Sequence, residues 1–307
     1  MPIQDFNPSL TRLKPFFPGQ WGVSGSDNKL GLRTDTRSAI FYVDSGSATC
    51  NDNNDGTDPD APLQTITEAM TRCTANANDF ILVRQMTNAL ETFPININVN
   101  RVHLISTFYD VGKGPSITPV ADTAGFLISA DNVEIAGFQI HGGATAGCID
   151  VKTASATWGA DIHHNCFGWQ SGGQDGIRMG GAVDKPQWLI HDNWFNDKIT
   201  RDGIRIDQNS TRSEIYGNHF RMLDGAGVGI NLVTLCTDIY AIHDNYFKVN
   251  GAVQGDAITC NINSTLCMFW GNQAFDAGAA PAQNPYLDLG TNDWGLNWTG
   301  DVVTYPV

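Results

Sequence analysis

Four six-residue stretches of this chain say nearly the same thing: IHHNCF at 162–167, IHDNWF at 190–195, IYGNHF at 215–220 and IHDNYF at 242–247. FWGNQAF at 269–275 reads as a fifth, slightly stretched copy. IAGFQI at 135–140 reads as a degenerate earlier one, with Gly137 aligned to the asparagine. On that alignment Gly137, Asn165, Asn193, Asn218, Asn245 and Asn272 are 28, 28, 25, 27 and 27 residues apart. A second motif recurs between them with a similar step: CIDV (148–151), DGIRM (175–179), DGIRI (202–206), VGINL (228–232) and DAITC (256–260). Self-similarity at a period of about 20–50 residues means a solenoid, a propeller or an array.

The pattern inside each unit chooses among these. Ile204-Arg205-Ile206 and Ile258-Thr259-Cys260 alternate with strand spacing. The units carry no helical stripe or helix caps, and Gly, Asn, Asp and Ser punctuate them with turns. A coil of two or three short strands stacked on its copies at about 4.8 Å is a parallel β-helix rung. Ile and Phe, flanking each asparagine, are expected to point into the bore. The asparagine is expected at a turn position in the left-handed region, its amide bonded to its own copy in the next rung. Asn165, Asn193, Asn218, Asn245 and Asn272 therefore read as a structural ladder rather than a site.

The formal net charge is −14, from 18 Lys and Arg against 32 Asp and Glu. Phosphate backbones are bound by many Lys and Arg, so nucleic acid is not the expected partner, whereas a glycan or another protein is. No apolar run reaches the roughly 18 residues a membrane span needs. MPIQDFNPSL lacks the basic and apolar regions of a signal peptide. The seven cysteines lack CxxC pairs and read as small buried thiols. Cys50 with Cys73, and Cys260 with Cys267, are the pairs left open for disulfides. These features suit folding in a reducing cytosol.

Residues 41–70, FYVDSGSATCNDNNDGTDPDAPLQTITEAM, give a strand, an Asp/Asn/Gly-rich loop and a short helix. Thr65 or Thr67 can cap that helix, with Glu68 completing a capping box after Thr65. Such a helix covers the first rung, whose edge would otherwise be unpaired. With the repeat, this start resembles the right-handed parallel β-helix proteins of the pectate-lyase-like superfamily, of the kind found in phage tailspikes and virion decoration proteins. The resemblance covers roughly residues 39–276. It implies an all-β chain: a single right-handed parallel β-helix at 39–276 with a cap helix near 65–76, an extended arm at 1–38 and a C-terminal cap or oligomerisation tail at 277–307. It is specific for fold and not for activity, because the fold hosts lyases, hydrolases and non-enzymatic virion proteins.

Two functions from different classes follow. The first is a structural bacteriophage protein on the virion surface, made in the host cytoplasm: a capsid decoration or cement protein, or a short tail-associated spike. Its arm would dock Phe16, Phe17 and Trp21 on a major capsid or tail protein. The resemblance implies a homotrimer, and a host surface glycan is a further partner. The second is a polysaccharide lyase or glycoside hydrolase. Asp175 and Asp202, 27 residues apart, would stand on adjacent rungs about 5 Å apart, the separation of retaining glycosidases. Arg178, Arg205, Asp207, His191 and Trp194, with His243 and Trp270, would line a sugar groove. Against the enzyme, DGI serves as a turn into a strand, and the galacturonase-like set of clustered Asp, Gly-His-Gly and Arg-x-Lys is missing. Neither a nucleophile elbow nor a His-Glu-x-x-His metal motif occurs. No cofactor is expected. Asn51, Asn53, Asp55 and Gly56 imitate half of a calcium loop, but Pro62 stands where the bidentate Glu belongs.

Overall fold

The computed structural model describes residues 38–108, 112–151, 157–180, 185–207, 212–221, 227–233, 241–249, 256–261, 264–276, 285–299 and 302–304. The arm residues Phe16, Phe17 and Trp21 lie outside them. Among the described residues three sheets, parallel except for the last strand of sheet C, wrap one core: sheet A with ten strands, sheet C with nine and sheet B with eight. The chain visits them in the order A, C, B. Seven successive turns give one strand to each sheet, from His103–Ser106, Ser116–Ile117 and Phe126–Ile128 to Thr265–Trp270, Gln273–Asp276 and Tyr286–Asp288. The chain is a parallel β-helix.

Stacking of like on like fills the bore. On sheet A the inward column runs Ile135, Ile162, Ile190, Ile215, Ile242 and Phe269. On sheet B it runs Ile149, Ile177, Ile204, Ile230, Ile258 and Tyr286. On sheet C, Phe167, Phe195, Phe220 and Phe247 stack with ring centroids 4.7, 4.6 and 4.7 Å apart. All are buried, each worth about 1.5–3 kcal/mol. The ring column explains the glycine of the DGI motif, which lies inside a strand and not in a turn. A Cβ on Gly203 would come within 2.7 Å of the Phe220 ring, and one on Gly176 within 2.6 Å of the Phe195 ring. The next sheet C position after Phe247 is Ala274. Two turns from Gly203 the sheet B position is accordingly Ala257, where glycine is no longer needed. Phe275 is outside the bore, stacked on Tyr246 at 5.0 Å.

Sheets A and C are joined by two-residue corners, and these corners set the asparagine ladder. Asn218 shows the pattern. Its Nδ2 donates to Ile190 O, Tyr216 O and Asn245 Oδ1, at 2.9, 3.0 and 3.0 Å. Its Oδ1 accepts from the backbone N–H and Nδ2 of Asn193, at 3.1 and 3.0 Å. The same bonds link Asn165, Asn193, Asn218, Asn245 and Asn272, all buried. The left-handed residue, however, is the one before each asparagine: His164, Asp192, Gly217, Asp244 and Gly271, with φ between 53 and 68°. Gly137 belongs to this series (φ 83°), so Phe138 and not Gly137 stands at the asparagine position. Phe138 N–H donates to Asn165 Oδ1, ending the ladder.

The cap helix, α1, is Ile66–Arg72, shorter than the expected 65–76. Thr65 caps it, accepting from Glu68 N–H at 3.0 Å. Glu68 turns to Arg72 instead of back to Thr65. Asp52 takes the reciprocal place, accepting from Thr65 N–H at 3.0 Å, and Glu91 accepts from Ile66 and Thr67 N–H at 2.6 and 3.1 Å. Negative charge at a helix start also suits the dipole. The helix stops because Cys73 is extended and Asp79 Oδ2 takes Thr74 N–H.

The far end also departs from the expected boundary at 276. Tyr286–Asp288, Thr291–Trp294 and Asn297–Thr299 continue sheets B, A and C. Asn297 is a further ladder member, accepting from Asn272 Nδ2 at 2.9 Å. Val302–Thr304 then returns antiparallel on Asn297–Thr299. Trp294, within the expected cap or oligomerisation tail, is packed on the solenoid: it stacks on Phe269 at 4.1 Å and donates to Asp288. Neither Cys50 with Cys73 nor Cys260 with Cys267 forms a disulfide. Among the described residues no helix is long and apolar enough to cross a membrane.

Candidate functional site

Asp175 and Asp202 stand in register on adjacent rungs of sheet B, as the spacing predicts. Their carboxylates are sealed. Asp175 is fully buried and Asp202 nearly so. Asp175 Oδ1 accepts from Arg201 Nε at 2.8 Å and from Asp202 N–H at 3.3 Å, while Arg201 Nη2 bonds Oδ2. Asp202 accepts from Arg205 Nη1, Asn231 Nδ2 and Val228 N–H at 2.9, 3.1 and 3.1 Å. Burial pushes the Asp175 carboxyl up, and the Arg201 guanidinium pulls against that rise. A glycosidase pair must reach a scissile bond from open space. Among the described residues these two carboxylates meet protein donors, which suits a scaffold role.

The outer face of sheet B is different. Asp150, Arg178, Arg205, Asn231 and Thr259 form one column, in register over five rungs. All five are half-buried. Arg178 is the more open of the column's two arginines, with its side chain 37% exposed and Asp207 as a loose partner at 3.4 Å. Arg205 is 19% exposed, between Asp202 at 2.9 Å and Asp207 at 2.8 Å. The Asp207 contact is an ion pair rather than an aligned hydrogen bond. Burial raises the Asp150 carboxyl, opposed by Arg178. Leu127 and Leu287 bound the polar column at its two ends.

His191 and Trp194 do not join this face. His191 lies on the outside of sheet A and Trp194 on the outside of sheet C, separated by one corner. Each sits in an external ring stack. His163, His191, Tyr216, His243 and Trp270 stack at 4.8, 4.8, 5.3 and 4.3 Å. Trp194, His219, Tyr246 and Phe275 stack at 5.2, 5.3 and 5.0 Å. His191 lies between two rings and offers its edge, whereas Trp194 ends its stack, paired with Cys166 on the other side, and is exposed. In the Asn51–Asp60 loop region, Asn51 Oδ1 and Asp55 Oδ1 accept from the N–H two residues on, as Asx turns do.

Sequence reasoning missed Arg201, although the RDG triplet was its signal, and missed Asn297, whose 25-residue step from Asn272 matches the repeat.

A family described as "Protein of unknown function (DUF1565)" matches residues 48–277. The chain belongs to this family. No curated protein sequence matches it. Among solved structures, this family member resembles pectate lyase Pel9A, with a TM-score of 0.50 and 11% identity over 88% of this chain and 82% of that one. A pectin methylesterase in complex with a hexasaccharide gives a TM-score of 0.49 and 12% identity, over 89% and 92%. Pectin methylesterase PemA from Erwinia chrysanthemi gives 0.37 and 11%, over 89% and 92%. At these identities the likeness shows the fold alone.

Proposed function

We propose that this chain is a glycan-binding β-helix whose contact surface is the outer face of sheet B. The carrying observation is the in-register column Asp150, Arg178, Arg205, Asn231 and Thr259. It offers donors and acceptors repeated at about 4.8 Å, which suits an extended chain of hydroxyl-bearing units. The sealed state of Asp175 and Asp202 supports binding without cleavage by that pair. The acidity of the chain favours a neutral or sparsely charged glycan over a dense polyanion. The neighbours act on pectic polymers by their names, which makes polygalacturonate the acidic limit of a panel that otherwise holds neutral polysaccharides.

Affinity electrophoresis over that panel is expected to show retardation by at least one neutral polysaccharide, no release of reducing ends, and at least tenfold weaker binding by Arg178→Ala. Equal binding by Arg178→Ala, or no binding to any member, would contradict the reading.

Attachment to a virion remains a second proposal, and it rests on the proline-broken aromatic segment at residues 6–25. It expects a trimer of the full chain in light scattering. A monomer at micromolar concentration would count against it.

A further inference from the structure

The outer column of sheet B runs on past Leu127. Its register partner one rung earlier is Asn96, in the strand Ile95–Ile97 that opens the sheet. Asn96 therefore stands two rungs from Asp150 and three from Arg178, about 10 and 14 Å at the spacing of stacked strands. The cap helix α1 packs against this same strand. Ile66, Ala69 and Met70 turn inward and hold the helix on the solenoid. The helix is a wall across the N-terminal end of the sheet B face.

Between this wall and the strand lies a half-open cavity of about 360 Å³. Ligand sites begin at about 300 Å³, so the room suits one small unit rather than a length of polymer. Thr67 and Thr71 line it from α1, and Thr92, Asn96 and Asn98 from the strand and its flanks. Met70 and Val99, both packed on the core, give it an apolar floor. Among the described residues no charged side chain lines it, although the chain carries a net charge of −14. The nearby acids are engaged elsewhere: Glu68 pairs with Arg72, and Glu91 accepts from Ile66 and Thr67 N–H. Asn96 Nδ2 donates to Pro94 O at 3.2 Å. The Thr92 hydroxyl and the Asn98 amide bond no other described residue. An amide offers both donors and an acceptor. Uncharged amides and hydroxyls around an apolar floor match a neutral sugar ring, which has hydroxyls at its edge and C–H groups on its face.

We propose that this cavity holds the terminal unit of the glycan that lies along sheet B, so that the protein engages a chain end and not the middle of a chain. The inference rests on the sheet B reading and adds a direction to it. A glycan laid on Arg178 and Asp150 crosses Leu127 and meets α1 at the next rung. The helix bars further travel, and the cavity supplies the last ring with uncharged partners.

The test uses the full chain and three neutral members of the panel, linear galactan, mannan and dextran, each intact and after partial acid hydrolysis to chains about ten times shorter. A mid-chain binder loads by the mass of polymer, whereas an end binder loads by the number of ends. For at least one probe, protein bound per gram at saturation is expected to rise about tenfold after hydrolysis. Thr71→Trp fills the cavity from its rim, and Asn98→Ala removes an amide; both positions are exposed. Each variant is expected to weaken binding of the hydrolysed probe at least fivefold with the melting temperature unchanged. Loading per gram unchanged by hydrolysis would overturn the proposal. So would wild-type affinity in both variants; if Thr71→Trp fails to fold, Asn98→Ala alone decides. Where either result accompanies loss of binding in Arg178→Ala, the sheet B reading stands and only the cavity falls. No binding of wild type to any of the three probes would overturn both.

Discussion

Asn218→Ala is expected to cost about 3 kcal/mol and to lower the melting midpoint by about 6 °C. Asn218 is fully buried at the middle of the ladder. Its loss strips Asn193 N–H of its acceptor and leaves Asn245 Oδ1, Ile190 O and Tyr216 O each short of a donor. The alanine methyl replaces none of these bonds, and water has no direct path to a corner packed between rungs. Thermal melting followed by circular dichroism checks it. A midpoint within about 1 °C of wild type would show that the ladder is ornamental.

Arg201→Ala is expected to be still more damaging at neutral pH. It leaves Asp175, which is fully buried, with Asp202 N–H as its remaining donor. Breaking a buried pair from one side typically costs about 3–5 kcal/mol. The pH dependence has a definite sign. An unpaired buried carboxyl has a folded pKa raised above its unfolded value, so the folded state holds the extra proton. The penalty is full above the folded pKa and is relieved as pH falls through it. Arg201→Ala should therefore approach wild type in acid. Adding Asp175→Asn should restore part of the loss at pH 7, a coupling readable in a double-mutant cycle. A cycle with no coupling would contradict the sealed-pair assignment.

Much of the fold was legible because a solenoid writes its period into the sequence. Ile, Asn and Phe recur wherever the same bore position recurs, and the cap helix announced itself through Thr65. What misled was local. Gly137 invites alignment with the asparagine, yet it supplies the left-handed corner one residue earlier, a place that Asp192 and Asp244 also fill. The last turn hid because Trp294 and Thr299 stand where Ile and Phe mark the others. The site was less legible. Register placed Asp175 beside Asp202 correctly, but register says nothing of access, and Arg201 reaches Asp175 from the neighbouring rung. His191 and Trp194 are three residues apart, but a two-residue corner sends them to different faces.

The account turns on which face meets the glycan. Hydrogen exchange, with and without the tightest-binding polysaccharide of the panel, measures that directly. Protection concentrated in Asp175–Met179, Asp202–Ile206 and Ile230–Leu232, with sheets A and C unchanged, is the predicted result. Protection confined to Leu189–His191 and Trp194–Phe195, or none at saturation, would contradict it.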